Sequence, residues 1–256
     1  FPVQTYPYYN AVQGVAFERL LATLETAQAG DVVVLHACCH NPTGYDLTAA
    51  QWQQLLPLLQ RRGLVPFLDM AYQGFGQGLS EDAYAVRLFA DSGLAFLVAS
   101  SYSKSFSLYG ERVGSLHVVC ENKDEATRVQ SQLKVTARTT YSNPPTHGAK
   151  VVATVLADAA LAAQWEEELG GMRVRIAAMR QKLVAALQAA GVTQDLTYIT
   201  RQQGMFSYSG LSAAQMQRLR TEFGVYGVDS GRLCVAALNS GNLPRVAAAV
   251  AAVLQS

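Results

Sequence analysis

The chain has 256 residues, which is enough for one large domain or two smaller ones with a sizeable core. Half of the residues are hydrophobic and 15% are charged, which indicates a folded globular protein and excludes a disordered one. A net charge of +1 gives no field that attracts nucleic acid or an anionic membrane, and the longest apolar run, residues 246–254, is too short to cross a bilayer. We therefore expect neither nucleic acid nor a membrane as a partner.

The first two thirds of the chain alternate between strand and helix patterns. Short apolar runs predict strands at residues 31–39, 64–72, 94–100 and 113–120, the first of them covered on both faces. Helices are predicted at residues 48–63 and 81–93, and this alternation predicts a mostly parallel sheet with right-handed crossovers.

The helix at residues 48–63 has clear local signals. Thr48 and Gln51 form a capping box at its start, and Gly63 stops it. Pro57 lies inside this helix and should bend it.

Residues 147–190 have a long helical pattern that contains the pair Gly170 and Gly171. Two adjacent glycines cost roughly 2 kcal/mol relative to alanine inside a helix, so we predict a break there. We place a domain boundary at this break, between residues 1–170 and residues 171–256. The second domain is predicted to be a small α/β unit: a strand at 204–210, a helix opened by Ser212 and Gln215, a strand at 232–238 and a final helix.

Four cysteines in a chain of this length indicate a reduced, cytoplasmic protein. The segment HACCHN, residues 36–41, contains four side chains of metal-ligand type. Neighbouring side chains of a strand point to opposite faces, so these four cannot converge on one ion. We predict buried strand residues here and no metal site.

Three polar groups follow the ends of predicted strands. They are HNPTG at residues 40–44, then Asp69 with Tyr72, then Ser101, Ser103 and Lys104. Ligands of open parallel sheets bind at the carboxyl ends of the strands, so we expect these groups to face one pocket. Each group alone has an ordinary interpretation as a turn, a helix cap or a surface lysine. Together they supply an amine, a carboxylate and several hydrogen-bonding groups to the same place.

The motif SYSKSFSLYGERVG, residues 101–114, resembles the lysine-to-arginine motif of the fold-type I, or class I, pyridoxal-phosphate aminotransferases. CCHNPTG and DMAYQGF are similar to two further motifs of that family, in the same order and spacing. YSNPP, GMFSYSGL and SGRLCVAALN extend the resemblance over almost the whole chain, toward the bacterial aspartate and aromatic enzymes.

The resemblance implies an α/β fold. A large domain carries a mostly parallel mixed sheet flanked by helices, and a smaller α/β domain follows. It also implies that the chain corresponds to the C-terminal portion of such an enzyme, with Phe1 matching the middle of the large domain.

The same resemblance implies pyridoxal 5'-phosphate as the cofactor and a role for each matched residue. Lys104 is expected to bind the cofactor covalently and to shuttle the α-proton, while Asp69 keeps the pyridine nitrogen protonated. The other expected contacts are Asn41 and Tyr72 at the cofactor's phenolic oxygen, Ser101, Ser103 and Arg112 at its phosphate, and Arg232 with Asn41 at the substrate α-carboxylate.

Three further residues receive roles from the resemblance. Arg138 is expected to reach into the neighbouring subunit of a homodimer and meet the substrate side chain there. Phe206 is expected near the substrate, and His36 behind Asp69.

The implied reaction is ping-pong transfer of an amino group from an aromatic amino acid, or from aspartate or glutamate, to 2-oxoglutarate. Aspartate aminotransferase is the alternative, because Asn143 in YSNPP is similar to the aspartate enzymes. Two other classes stay open: a non-catalytic module that senses pyridoxal phosphate, and a degenerate fold kept for dimerisation.

Overall fold

A computed structural model describes residues 2–12 and 14–255. Phe1 and Ser256, the outer ends of the two predicted domains, lie outside the described residues. The described strands are β1 (Tyr9–Asn10), β2 (Gly14–Val15), β3 (Val32–His36), β4 (Val65–Met70), β5 (Phe96–Ser101), β6 (Gly114–Val119), β7 (Phe206–Tyr208) and β8 (Arg232–Cys234). The described helices are α1 (Phe17–Leu24), α2 (Ala49–Arg62), α3 (Leu79–Asp82), α4 (Tyr84–Ala90), α5 (Lys123–Tyr141), α6 (His147–Ala157), α7 (Ala159–Ala189), α8 (Tyr198–Arg201), α9 (Ala213–Phe223) and α10 (Leu243–Leu254).

The central sheet has the strand order β3-β4-β5-β6. The pairs β3–β4 and β4–β5 are parallel, and β6 pairs antiparallel with β5 at the edge. The register places His36 opposite Asp69, and Ser101 opposite Gly114. The predicted α/β fold with a mostly parallel mixed sheet is confirmed, and the carboxyl ends of β3, β4 and β5 meet at one edge.

One face of the sheet forms the core. Leu35, Leu68 and Phe96 are at most 1% exposed and belong to one apolar cluster with α1, α2 and α4. On the other face, Val32 and Val34 are 57% and 50% exposed. The prediction that this strand is covered on both faces is therefore wrong for the described residues, because alternate side chains of β3 point to opposite faces and only one face is packed.

Helix α2 follows its local signals. Thr48 and Gln51 form both bonds of the capping box, and Gly63 ends the helix in the left-handed conformation, with φ of 62°. Pro57 lies inside an unbroken helix, so the bend predicted there stays a prediction.

The predicted helix at residues 81–93 is instead two short helices, α3 and α4, divided at Ala83. The buried Asp82 side chain accepts hydrogen bonds from the backbone N–H groups of Gly74, Gly76 and Gln77, at 2.8–2.9 Å. These hydrogen bonds turn the Asp82 side chain toward the preceding loop, and α3 ends at this residue.

The break predicted at Gly170 and Gly171 is wrong, because α7 runs through both glycines without interruption. The helical segment divides earlier, at Asp158, whose carboxylate caps α7 by accepting from two backbone N–H groups. Helix α7 buries Leu169, Ile176, Met179, Leu183 and Leu187. Each such side chain contributes about 1.5–3 kcal/mol, so their burial outweighs the glycine penalty. The domain boundary at residue 170 stays a prediction.

The last third contains the predicted small α/β unit. β7 and β8 pair antiparallel, and Ser212 with Gln215 forms the predicted capping box of α9. The second strand is shorter than predicted: it ends at Cys234 and a 3-10 turn, Val235–Ala237, follows. The backbone N–H groups of Val235 and Ala236 both donate to the Met205 carbonyl, which curls the chain out of the strand.

Helix α5 is distinct from the others because none of its 19 residues is buried. Among the described residues, no helix combines the length and apolar character that a bilayer span requires.

Candidate active site

The loop that follows β3 carries the HNPTG motif. The Asp46 carboxylate accepts hydrogen bonds from the backbone N–H groups of Cys39 and His40, both at 2.7 Å. Gly44 closes the turn with φ of +73°, and its N–H donates to the His40 carbonyl at 2.8 Å. The backbone N–H of Asn41 donates to His36 Nδ1 at 3.2 Å. These bonds hold Asn41 at the end of the sheet.

Asn41 joins two residues that are distant in the sequence. Its Oδ1 accepts from Arg232 Nη1 at 2.9 Å, and its Nδ2 donates to the Tyr72 hydroxyl at 3.3 Å. Tyr72 is buried, and burial raises the pKa of its phenol while the bond from Asn41 opposes that rise. A single amide therefore fixes the position of both the phenol and the guanidinium.

Two cations face the aromatic side chains of this site. Lys104 Nζ lies 4.7 Å from the centroid of the Tyr72 ring, and Arg232 Cζ lies 4.6 Å from the centroid of the Phe206 ring. The two rings meet edge to face, with centroids 6.0 Å apart. Both distances to the rings allow cation–π attraction. The structure thus brings together Lys104, Tyr72, Asn41, Arg232 and Phe206.

Asp69 lies on β4, next to His36 across the parallel ladder. No described residue donates a hydrogen bond to the Asp69 carboxylate. Burial lowers the pKa of His36, and the nearby Asp69 charge opposes that change. His36 lies beside Asp69 on the neighbouring strand, and its expected place behind the carboxylate stays a prediction.

A stack of rings continues behind His36. The ring centroids of His36 and His40 are 4.6 Å apart, and Tyr8 stacks on His40 at 3.8 Å. Burial, with a contribution from His36, lowers the pKa of His40 to about 3, so this ring is neutral at physiological pH.

The third predicted group follows β5. Ser103 is buried, and its N–H donates to Ser101 Oγ at 3.2 Å. Arg112 is exposed, in the left-handed conformation, and donates to the Tyr109 carbonyl at 3.1 Å. Because Ser101 pairs with Gly114, Arg112 lies at the same end of the sheet as the two serines. Among the described residues it has no direct hydrogen bond to either serine.

Arg138 is the predicted residue that the chain does not bring to this site. It lies on the exposed helix α5 and donates to Ser142 Oγ at 2.6 Å. Its exposed position agrees with a role outside this chain's own pocket, and that role stays a prediction.

The cysteine segment does not form the set of four ligands considered from the sequence. Cys38 and Cys39 instead lie near Asp82, with ligand atoms within 4.8 Å of one another. Burial contributes to a raised pKa for both thiols, and Asp82 already accepts three backbone hydrogen bonds. The strand ends at His36, so the alternation of side chains no longer applies at Cys38 and Cys39. Both thiols can therefore lie close to Asp82.

The sequence interpretation missed two residues of α7 that support the site. Trp165 Nε1 donates to the Ser105 carbonyl at 2.7 Å, and its ring stacks on Phe106 at 4.4 Å. It therefore holds the segment that carries Lys104. Arg180 is buried against the segment that carries Phe206. Both contacts link distant parts of the chain, and no local pattern marks them.

The chemical groups of the site are complementary to one kind of ligand. Among the described residues, the Lys104 amine forms no ion pair, and no group donates a hydrogen bond to the Asp69 carboxylate. Ser101, Ser103 and Arg112 offer donors suited to a phosphate. These groups fit a phosphorylated aromatic aldehyde with a basic ring nitrogen, while Arg232 remains available for a carboxylate.

Comparison with known proteins gives a family for this chain. The sequence profile of aminotransferases of class I and II matches residues 1–250. The chain belongs to the class I and II aminotransferase family.

The relatives are longer than this chain. It is 58% identical to an aspartate aminotransferase of Pseudomonas aeruginosa and to a tyrosine aminotransferase of Klebsiella pneumoniae, over 255 residues in each case. These matches cover 99% of this chain and 64% of each relative. The structure of the aromatic-amino-acid aminotransferase from Burkholderia pseudomallei, covalently bound to pyridoxal phosphate, superposes with a TM-score of 0.97 and 60% identity, over 99% of this chain and 64% of that one. The chain thus spans about two thirds of the length of these aminotransferases.

Proposed function

We propose that this chain is the catalytic part of a pyridoxal-phosphate aminotransferase. The observation that carries the proposal is the convergence of Lys104, Tyr72, Asn41 and Arg232, which are joined by hydrogen bonds and ring contacts at one end of the sheet. Family membership supports the same reaction class.

The cofactor supplies an electron sink for the amino acid's α-carbon when it is bound. Lys104 would hold it covalently through Nζ and would move the α-proton. Asp69 would keep a proton on the ring nitrogen, because a carboxylate with no other donor among the described residues stabilises that charge. Ser101, Ser103 and Arg112 would bind the phosphate.

Arg232 binds the α-carboxylate of the amino acid. Its guanidinium is oriented by Asn41 and covered by the Phe206 ring, and the planar fork suits a bidentate carboxylate. Tyr72 and Asn41 would donate hydrogen bonds to the phenolic oxygen of the cofactor, so that the reacting carbon is held near Lys104.

For the substrate we propose an aromatic amino acid, with aspartate and glutamate also accepted and 2-oxoglutarate as the acceptor in a ping-pong cycle. Relatives with the names aromatic-amino-acid, tyrosine and aspartate aminotransferase are 50–58% identical, which supports this range. Aspartate aminotransferase is the second candidate, favoured by Asn143.

The assembly and cellular location belong to the same proposal. We propose a cytoplasmic homodimer in which Arg138 of each subunit reaches the neighbour's site. The exposure of α5 supports this, because its apolar side chains Leu133, Val135 and Tyr141 leave 40–57% of their surface uncovered.

The proposal is tested in the full-length protein loaded with pyridoxal phosphate. Borohydride reduction followed by peptide mapping should place the label on Lys104, and the protein should convert tyrosine and aspartate with 2-oxoglutarate. Lys134 on α5 and Lys150 on α6, both exposed, are the internal controls. A label on either one overturns the assignment of Lys104, and label without turnover favours a sensing module.

A further inference from the structure

Arg180 on α7 is a buried arginine. It is 3% exposed, and it forms no ion pair with any acid that the structure describes. Burial lowers the pKa of its guanidinium to about 10, which leaves it charged at neutral pH. A buried charge is costly unless its donors are satisfied, so the acceptors around Arg180 indicate its purpose.

Three of its four acceptors belong to Phe206 and residues close to it in the chain, and the fourth is the Ile199 carbonyl at 3.5 Å. Arg180 Nη2 donates to the carbonyls of Gly204 and Phe206, both at 2.7 Å, and Nη1 donates to the Ser207 hydroxyl. A guanidinium presents its donors in a rigid plane, so three acceptors in four consecutive residues fix the path of the backbone there.

The same segment also contacts the loop after β3. Gln203 N–H donates to the Gly44 carbonyl at 2.6 Å, and a Cβ at Gly204 would lie 2.6 Å from that of Cys39. The segment is therefore attached both to Arg180 and to the loop that carries Asn41. Its Phe206 ring covers Arg232, to which Asn41 is hydrogen-bonded.

We propose that Arg180 is a positioning residue for substrate binding. It holds the backbone around Phe206, and through that ring it sets the position of the Arg232 guanidinium. The inference rests on the proposed function, because Arg232 is the residue that meets the substrate carboxylate there.

A positioning role and a purely structural role predict different effects of substituting Arg180 on substrate binding and on stability. Arg180→Lys keeps the charge, but its single ammonium cannot span the three acceptors. Phe206 and Arg232 then lose their fixed position, which weakens carboxylate binding more than it slows the proton transfer at Lys104. A structural role would instead lower stability and cofactor content together, with the substrate KM unchanged.

The experiment compares Arg180→Lys, Ser207→Ala and wild type as full-length holoenzymes. In Arg180→Lys we expect KM for aspartate and tyrosine to rise about tenfold, with kcat changed less than threefold and cofactor content unchanged. The dissociation constant of succinate, an unreactive dicarboxylate, should rise in parallel. Arg245→Lys is the matched control: Arg245 also donates to a backbone carbonyl, that of Phe223 at 2.7 Å, but it is exposed on α10 and should behave as wild type.

Unchanged KM and succinate affinity in folded Arg180→Lys overturn the proposal. If that variant does not fold, Ser207→Ala decides, because it removes one acceptor and should raise both constants about threefold. Unchanged constants in Ser207→Ala then overturn the proposal. A wild-type holoenzyme without transaminase activity overturns the proposed function. In that case the proposal for Arg180 is still tested by comparing the succinate dissociation constants of wild type and Arg180→Lys. A wild type that binds no succinate overturns both.

Discussion

The guanidinium of Arg232 donates a hydrogen bond of 2.9 Å to the amide of Asn41, across 191 residues of sequence. The other end of that amide donates to Tyr72, so its orientation is fixed by one donor and one acceptor. A carboxamide suits both bonds, because it carries an acceptor oxygen for the cation and a donor nitrogen for the phenol.

Asn41→Ala should therefore weaken substrate binding in general. Arg232 and Tyr72 both lose their partner, and a hydrogen bond to a charged group contributes about 1.5–3 kcal/mol, or roughly ten- to hundredfold. We expect kcat/KM to fall by that factor for aspartate and for tyrosine alike. Ser212→Ala, which removes the cap of helix α9, is the control and should leave kcat/KM unchanged. Equal values for Asn41→Ala and wild type would show that Arg232 does not need this bond.

Asp69→Asn should retain the cofactor but lose most of the turnover. A neutral amide cannot hold a proton on the ring nitrogen, and loss of one preorganised charge partner costs about a hundredfold or more in kcat. The measurement is single-turnover kinetics together with the absorbance of the bound cofactor. Asp91→Asn, at an exposed acid after α4, is the control. Turnover close to wild type in Asp69→Asn would exclude Asp69 as the partner of that nitrogen.

Arg138 and Arg232 should divide the substrate between them. Arg232→Ala removes the partner of the α-carboxylate, which every amino acid has, so it should reduce kcat/KM for aspartate and tyrosine equally. Arg138→Ala should reduce only the value for aspartate, because only that side chain carries a charge. Truncating one partner of a buried charged pair costs about 2–5 kcal/mol, a factor of about 30 to several thousand. An equal loss for both substrates in Arg138→Ala would show that Arg138 supports the site or the dimer and does not recognise the side chain.

His40 should make the protein sensitive to acid. Its pKa is about 3 in the folded protein against an ordinary value of 6.5, so the unfolded chain takes up the proton first. The free energy of unfolding is then lost as the pH falls below 6.5 toward 3. We expect the stability advantage of wild type over His40→Gln to shrink by about 2 kcal/mol between pH 7.5 and pH 5. The measurement is urea unfolding at both pH values, and a constant difference would show that His40 is protonated equally in both states.

Features set by neighbouring residues could be predicted from the sequence. The capping boxes of α2 and α9 need only residues three apart, and the positions of Asn41, Asp69 and Lys104 follow from where parallel strands end. Their convergence with Arg232 was implied by the family resemblance alone, because no local rule links residues so far apart.

The incorrect predictions share a physical cause: tertiary packing overrides the local sequence pattern. The glycine pair in α7 has a poor intrinsic helix propensity, but packing of the buried side chains on both sides of it decides the outcome. The same holds for Arg180, whose sequence context resembles any charged position of an exposed helix. Its burial depends on carbonyl groups more than twenty residues away.

Helix α7 is a rod of 31 residues, about 46 Å long at 1.5 Å per residue. Trp165 near one end is bonded to the segment of Lys104, and Arg180 toward the other end is bonded to the segment of Phe206. The segment that carries Lys104 and the segment that carries Phe206 are thus attached to the same helix. Gly170 and Gly171 lie between the two attachment points and carry no side chain to brace the backbone. Glycine has more backbone freedom than any other residue, so α7 bends most easily between its two attachment points.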